Sequence, residues 1–193
     1  MKILAFSDIR TTLEIPNEHV DIVVLLGNIP SKMVSKICKQ YDGIPVLGLL
    51  SKRCHHKLFD DTPVVNIHHK CFEFEGIRFA GFGGEPVDFT HDDDQHVYND
   101  NQVNEFVKQL NESNVDVLIT YTNPPYGDVK GTLASEGFKS YNKLILDGRI
   151  KNMIHGRIRS PFKRKLAKVN IESVYPFSLI EIKKDEVLET RSK

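Results

Sequence analysis

The feature that most constrains the fold is a short apolar run near the start of the chain. Residues 3–6 (ILAF) are all apolar, and Ser7 and Asp8 follow them directly. A continuous apolar run is typical of a strand that is buried on both faces, inside a sheet covered by helices. In such α/β proteins, ligands bind at the carboxyl ends of the strands, where Asp8 lies. Asp8 is therefore a candidate site residue, although the same residue type also caps turns.

Similar runs recur along the chain and set the order of the predicted elements. Buried strands are predicted at residues 21–26, 44–50, 115–121 and 151–155, and a shorter strand at 64–67. A hairpin is predicted over residues 71–82, and helices over 31–40, 101–112 and 135–146. Strand-like pieces at 165–169, 178–182 and 187–189 are expected to form an antiparallel edge or a second sheet.

The alternation of strands and helices predicts a parallel sheet with right-handed crossovers. No linker, repeat or low-complexity segment interrupts the 193 residues, so we expect one domain over residues 1–193. The formal net charge is zero, which gives no overall attraction to nucleic acid or membrane.

The three cysteines and the hydropathy of the chain bear on its compartment. Cys38, Cys54 and Cys71 form no CxxC pair, which argues against a structural zinc site or a disulfide scaffold and fits a reducing compartment. No apolar run approaches the roughly 18 residues of a membrane span. The N-terminal run is also too short for a signal peptide. A cytoplasmic protein without a membrane partner is expected.

Polar clusters at the strand ends, taken together, resemble the calcineurin-like metallophosphoesterase family. The family's D-x-H, G-D and G-N-H-D motifs correspond to residues 8–10 (DIR), 27–28 (GN) and 51–54 (SKRC). Its V-L-x-T-H-x-P-P-Y-G and h-G-H-x-H motifs correspond to residues 117–127 (VLITYTNPPYG) and 155–159 (HGRIR). The resemblance covers nearly the whole chain, in order. It implies an α/β fold, a four-layer metallophosphoesterase-like sandwich of two mixed β-sheets flanked by helices.

The resemblance also implies a site in which two divalent metals activate water against a phosphoester. Among the corresponding positions, only Asp8 keeps the residue of the family. Arg10, Arg157 and Arg159 stand in place of ligand histidines, and arginine has no lone pair to offer a metal. The remaining replacements are Asn28 for the bridging carboxylate, Lys52 for a ligand asparagine, Tyr121 for a ligand histidine and Arg53 for the histidine that protonates the leaving group.

No metal cofactor and no catalytic residue are therefore expected, and the vestigial positions are Asp8, Asn28, Arg53 and His55. An alternative remains open. Shifting the third motif by two residues brings His55 to the position of the family's histidine. Asp8 and Asn28 could then hold a single Mn or Zn ion in a remodelled phosphodiesterase- or nuclease-type enzyme.

The cationic replacements suggest an anion pocket at the former metal site. The cationic side chains are Arg10, Lys52, Arg53, Arg157 and Arg159. Their five positive charges and the one negative charge of Asp8 give a formal surplus of four positive charges, which resembles the charge of two divalent metals. The predicted ligand-binding residues are Arg10, Lys52, Arg53, Tyr121, Arg157 and Arg159. The expected ligand is a phosphate, a nucleotide or a nucleic-acid backbone. The opposing interpretation is a site in which the arginines pair only with Asp8 and nearby carboxylates.

The preferred function is that of a degenerate, non-catalytic phosphoesterase domain that acts as a binding or scaffold module. The resemblance implies a protein partner in a larger assembly. The basic run at residues 157–168 is expected to be a solvated hairpin, and the alternative is that it extends the pocket into a nucleic-acid patch. The acidic loop at residues 91–96 is expected to be solvated, and the pairs His55-His56 and His68-His69 are expected to lie on the surface.

Overall fold

Two β-sheets packed face to face form the centre of the structure. It is a computed structural model that describes residues 1–10, 13–87, 95–110, 114–127 and 136–183. The first sheet has five strands in the order β13-β1-β2-β3-β4, and the second has six in the order β11-β12-β10-β9-β6-β5. A two-stranded pair, β7-β8, lies apart from both sheets.

The strands and helices have the following bounds. The first sheet contains β1 (Lys2–Phe6), β2 (Ile22–Leu25), β3 (Val46–Gly48), β4 (Val64–Asn66) and β13 (Phe177–Glu181). The second contains β5 (Lys70–Phe74), β6 (Ile77–Phe82), β9 (Val117–Thr120), β10 (Asn152–His155), β11 (Phe162–Leu166) and β12 (Val169–Ser173). The small pair is β7 (Glu85–Pro86) with β8 (Val97–Tyr98), and the helices are α1 (Ser31–Gln40), α2 (Asp100–Leu110) and α3 (Ser140–Leu146).

The central strands of each sheet run parallel, so their carboxyl ends lie on the same edge. In the first sheet β1, β2 and β3 pair in parallel, and in the second β6, β9 and β10 do the same. Antiparallel strands complete the sheets, since β13 pairs with β1 and β11 pairs with β12. Polar residues that follow these central parallel strands are therefore delivered to one end of the molecule.

The hydrophobic core has three layers, one between the two sheets and one on the outer face of each sheet, because the buried strands carry apolar side chains on both faces. On β1, Leu4 and Phe6 face outward and pack with α1, while Ile3 and Ala5 face the second sheet. The outer face of the second sheet packs against α2 and α3. The order helix, sheet, sheet, helices is the four-layer sandwich predicted from the sequence, and the fold class is confirmed.

No helix in the described part of the chain is long and apolar enough to cross a membrane.

The predicted strand at residues 165–169 is wrong. The chain instead forms an antiparallel hairpin, in which β11 ends at Leu166 and β12 begins at Val169. Ala167 makes the turn with φ 51°. Glycine, asparagine or aspartate usually takes this conformation, so the sequence carried no turn signal there.

Other boundaries differ by a few residues. The helix predicted from residue 135 is described from Ser140, and the helix predicted to residue 112 is described to Leu110. The pairing of β7 with β8 was not predicted, because neither two-residue strand has a periodicity to detect. The predicted strand at 187–189 and most of the acidic loop at 91–96 lie outside the described residues.

The inter-sheet layer should dominate the stability of the fold. Phe79 is fully buried between the sheets. Truncation of a buried phenylalanine typically costs about 3–5 kcal/mol. We expect Phe79→Ala to lower the free energy of unfolding by that amount in urea denaturation. Val65→Ala on the exposed edge strand β4 is the control, with an expected change within about 0.5 kcal/mol. Equal effects from both variants would contradict the assignment of this core.

Candidate functional site

A cavity of about 410 Å³ lies where the carboxyl ends of the parallel strands of both sheets meet. Asp8 and Asn28 come from the ends of β1 and β2, and Tyr121 comes from the end of β9. The described residues that line the cavity are Asp8, Asn28, Lys52, Arg53, Glu85, Pro86, Tyr121, Glu136, Arg157 and Arg159. Residues far apart in the sequence are thus brought to one site, including five of the six predicted ligand-binding residues.

The sixth predicted ligand-binding residue, Arg10, does not line the cavity. Ile9 is buried beneath α1, and the next side chain, Arg10, is exposed to solvent. His55 also lies elsewhere, because it borders a neighbouring groove of about 300 Å³. Its ring stacks on His56 with a centroid distance of 4.3 Å. The prediction that placed Arg10 in the pocket is therefore corrected.

The Asp8 carboxylate is the hub of the site and is held by four hydrogen bonds. Oδ1 accepts from Asn28 Nδ2 at 2.8 Å and from the Tyr121 hydroxyl at 3.0 Å. Oδ2 accepts from the Ser7 hydroxyl at 2.9 Å and from the backbone N–H of Arg157 at 3.2 Å. A carboxylate has about four acceptor positions, so these bonds fill them with donors from the chain itself.

Three of the strand-end residues have left-handed backbones. Asp8, Asn28 and Arg157 have φ of 54°, 54° and 66°. Aspartate and asparagine tolerate this region, whereas arginine rarely adopts it. Strained backbone is concentrated at functional sites, where the surrounding structure holds it in place. Here the hydrogen bond from the Arg157 N–H to Asp8 is one of the contacts that hold it.

Tyr121 fills the space between the two sheets at this point. Its Cδ2 atom would lie 2.9 Å from a Cβ at Gly27, which is too close for any residue but glycine. A Cβ at Gly156 would lie 3.3 Å from the same atom and only 2.2 Å from Ser7 Oγ, so Ser7 is the neighbour that excludes a side chain there. Burial, followed by the Asp8 and Glu85 charges, raises the pKa of the Tyr121 hydroxyl well above its usual value. The hydroxyl therefore stays protonated and acts as a donor to Asp8.

Arg157 lies at the base of the cavity, and its side chain is 9% exposed. Nη1 donates to the backbone carbonyl of Glu136. Nε is 3.6 Å from Glu85 Oε2, and Nη2 is 3.8 Å from Glu136 Oε2. Both distances fit ion pairs but are too long for hydrogen bonds. Nε is accordingly buried without a hydrogen-bond partner among the described residues.

Glu85 is the site residue that the sequence analysis missed. It follows β6 by three positions, after Gly83 and Gly84, and its side chain is 15% exposed. Burial raises the pKa of its carboxyl, while the charges of Arg157 and Lys52 lower it. Applying to β6 the rule that polar residues at strand ends build the site would have found it.

The formal charge of the cavity is lower than the four positive charges predicted from the sequence. Four cationic and three acidic side chains line it among the described residues, a formal surplus of one positive charge. Glu85 and Glu136 supply the acidic charges that the expectation left out. The cationic surplus lies toward the mouth, since Arg53 and Arg159 are exposed while Arg157 is buried.

The donor set here does not fit a binuclear metal centre. The Asp8 carboxylate already accepts four hydrogen bonds, and the surrounding arginines have no lone pair. Across the described residues, no group of three His, Cys, Asp or Glu side chains is placed to hold a metal ion.

Two histidines, His155 and His68, make hydrogen bonds to segments next to the site. The carbonyl oxygen of Gly156 can only accept a hydrogen bond, so His155 Nδ1 carries a proton and lies 3.0 Å from it. His155 Nε2 then accepts from the Tyr126 hydroxyl at 2.6 Å. His68, expected on the surface, is instead half-buried and accepts from the Gly83 N–H through Nδ1 at 3.0 Å. Burial lowers the pKa of each histidine from 6.5 to about 4.

Comparison with known proteins shows the fold and little more. No family model and no curated protein sequence matches the chain. One solved structure matches 94% of this chain and 99% of its own at 15% identity, with a TM-score of 0.68. TT1561 of Thermus thermophilus matches with a TM-score of 0.64 and 16% identity, covering 89% of this chain and 88% of its own.

A third similar structure carries a functional description. It is a "Putative 5'-Nucleotidase" from Staphylococcus aureus in complex with alpha-ketoglutarate, with a TM-score of 0.51 and 8% identity. The match covers 96% of this chain and 52% of that one, so this chain spans about half of that protein. Because all three identities are 16% or lower, these likenesses show the fold alone, a metallophosphoesterase-like sandwich.

The Asp8 network predicts opposite outcomes for two Tyr→Phe variants. Tyr121→Phe removes a donor from a buried carboxylate, which costs about 1–3 kcal/mol of unfolding free energy. The buried Tyr141 hydroxyl has no hydrogen-bond partner among the described residues, so Tyr141→Phe is expected to be neutral or stabilising. Urea denaturation of both variants tests this pair. A neutral Tyr121→Phe would contradict the role of the hydroxyl.

His68 and His155 together predict a stability loss in acid. Because their folded pKa of about 4 lies below the unfolded value of 6.5, their contribution is complete above pH 6.5 and is lost as the pH falls toward 4. The loss amounts to roughly 3 kcal/mol per histidine. We expect His68→Gln to reduce the difference between unfolding free energies at pH 7 and pH 4.5. His19→Gln, at an exposed position, should leave that difference unchanged. Equal pH dependence in all three proteins would refute this assignment.

Proposed function

We propose that this chain is a non-catalytic domain of phosphoesterase-like fold that binds an anion in its former metal site. The observation that carries the proposal is the Asp8 carboxylate, whose acceptor positions are filled by Ser7, Asn28, Tyr121 and Arg157. To coordinate a metal ion, the Asp8 carboxylate would have to lose several of these hydrogen bonds. The Tyr121 hydroxyl also stays protonated and so serves as a donor rather than an anionic ligand.

The cationic side chains support the anion part of the proposal. Arg157 lines the cavity, and its buried Nε has no hydrogen-bond partner among the described residues, which is costly for a donor. An anionic oxygen that reaches Nε from the cavity would satisfy it. Lys52, Arg53 and Arg159 line the same cavity and add positive charge around such a ligand. The proposed ligands are those with a phosphate group: inorganic phosphate, a nucleotide or a nucleic-acid backbone.

The proposal extends to a partner and to a cellular compartment. A domain that has exchanged catalysis for binding acts as a scaffold or subunit, so a protein partner belongs to the proposal. The cysteines Cys38, Cys54 and Cys71 are free thiols, which supports a reducing, cytoplasmic setting. If the ligand is nucleic acid, Lys163 and Lys165 on β11 extend the positive surface beyond the cavity.

A remodelled or single-metal phosphoesterase, using Mn or Zn, is the competing function. Asp8, Asn28 and Arg157 keep the left-handed backbone at the strand ends, and one structural neighbour is described as a nucleotidase. Metal content and turnover separate this function from the proposed one.

The proposal predicts anion binding without metal-dependent turnover. After dialysis against Mn²⁺ and removal of free metal, we expect no stoichiometric metal and no hydrolysis of a model phosphodiester. Isothermal titration with inorganic phosphate at low salt should show saturable binding that weakens as salt screens the cations. Arg159→Gln should weaken this binding because it removes a cation from the cavity.

Arg10→Gln is the matched control for this experiment. It removes the same charge from an exposed arginine that does not line the cavity, so phosphate affinity should stay unchanged. Bound metal together with turnover would establish the competing enzyme. Absence of phosphate binding at low salt, or equal weakening by both variants, would overturn the anion pocket.

A further inference from the structure

We propose that Glu85 makes this cavity select a phosphate group that carries a proton, as inorganic phosphate and phosphate monoesters do, over sulfate and phosphodiesters. This inference rests on the proposed anion-binding function and narrows its ligand class. It follows from the position of one carboxylate beside the only described guanidinium edge in the cavity that is both buried and incompletely hydrogen-bonded.

The Arg157 guanidinium fixes where the anion binds. Nη1 is taken by the backbone carbonyl of Glu136, which leaves the edge formed by Nε and Nη2. Nε has no hydrogen-bond partner among the described residues, and Nη2 lies 3.8 Å from the nearest oxygen of the Glu136 carboxylate. Two parallel N–H groups on one edge of a guanidinium match two oxygens of a tetrahedral oxyanion.

Glu85 is the carboxylate that such an anion has to meet. Its Oε2 is 3.6 Å from Arg157 Nε, and its side chain is 15% exposed. The backbone N–H of Lys52 donates to this carboxylate and fixes its orientation. An oxyanion bound at Nε therefore lies beside Glu85.

The other acidic side chains of the cavity are less suited to this contact. Asp8 is close to the site, but its acceptor positions are filled by four donors. The Glu136 side chain is 54% exposed, so water screens its charge and offers it other partners. Glu85 is the remaining acidic group that is both buried and in reach of the Nε donor.

A carboxylate next to an anion site favours an anion that carries a proton, because the proton can be donated to the carboxylate in a hydrogen bond. An ionised carboxylate only accepts hydrogen bonds, so it repels an anion that brings no donor. A phosphate monoester has a second pKa of about 6, so a P–OH form is present near neutral pH. That hydroxyl can donate to Glu85 while the other oxygens accept from Arg157. Sulfate is fully deprotonated at this pH, and a phosphodiester has no such hydroxyl to donate.

Binding of four small anions to the full chain at pH 6.5 and constant ionic strength tests this inference. The probes are inorganic phosphate, methyl phosphate, sulfate and dimethyl phosphate, titrated by calorimetry. A hydrogen bond to a charged group corresponds to a preference of at least about tenfold for the two protonatable anions. Glu85→Gln should bring phosphate and sulfate affinities to within about threefold, because an amide both donates and accepts.

Glu136→Gln is the matched control for this selectivity. It removes a charge that also lies beside Arg157 but from an exposed side chain, so it should strengthen phosphate and sulfate binding alike and keep their ratio. Glu85→Asp retains the charge on a shorter side chain and should give a reduced preference. If Glu85→Gln fails to fold, the wild-type anion series together with Glu85→Asp decides the question.

The outcomes separate this inference from the proposed function. Equal binding of phosphate and sulfate by the wild-type chain, or a preference that survives in folded Glu85→Gln, would overturn the role of Glu85 and leave the anion pocket intact. Failure of all four anions to bind would overturn the anion pocket itself. A preference that Glu85→Gln abolishes and Glu136→Gln preserves would establish the inference.

Discussion

The structure depends on a buried carboxylate that is stabilised without a directly paired cation. Asp8 is held by side chains and backbone from both sheets, since Asn28 follows β2, Tyr121 follows β9 and Arg157 follows β10. The Arg157 guanidinium does not turn toward Asp8 but toward Glu85 and Glu136. The same four hydrogen bonds hold the carboxylate and connect residues that follow strands of both sheets. The arginine is left to face the cavity.

The backbone of the site and its side chains have separate roles. Asp8, Asn28 and Arg157 each follow a strand with a left-handed backbone, and all three line one cavity. Arginine is an unfavourable residue for that conformation, so the position is maintained by the surrounding contacts rather than by local preference. The acidic residues Glu85 and Glu136 then balance much of the positive charge that the arginines bring.

The sequence was informative wherever a buried strand ended in polar residues. Continuous apolar runs predicted β1, β2 and β9, and the polar residues at their ends led to the joining of Asp8, Asn28 and Tyr121. The four-layer fold class came from the family resemblance of the strand-end motifs. The exposed position of Arg10 was not predictable, because it depends on the burial of Ile9 beneath α1. The β11–β12 hairpin was missed because Ala167 turns the chain without a residue that favours positive φ. Glu85 was missed because the rule that polar residues follow the ends of buried strands was not applied to β6, which ends three positions before it.

The packing of Tyr121 against Gly27 and Gly156 has a consequence for which substitutions this point of the structure tolerates. A smaller ring at position 121 would leave Asp8 without one of its donors and leave space beside both glycines. A side chain introduced at either glycine while the tyrosine remains would collide with it or be crowded by it. Both glycines are also constrained by other contacts, since a Cβ at Gly156 would lie 2.2 Å from Ser7 Oγ and Gly27 has a φ of 135°. A smaller residue at position 121 therefore does not by itself make room for a side chain at either glycine, and the close approach of the chain here depends on several contacts at once.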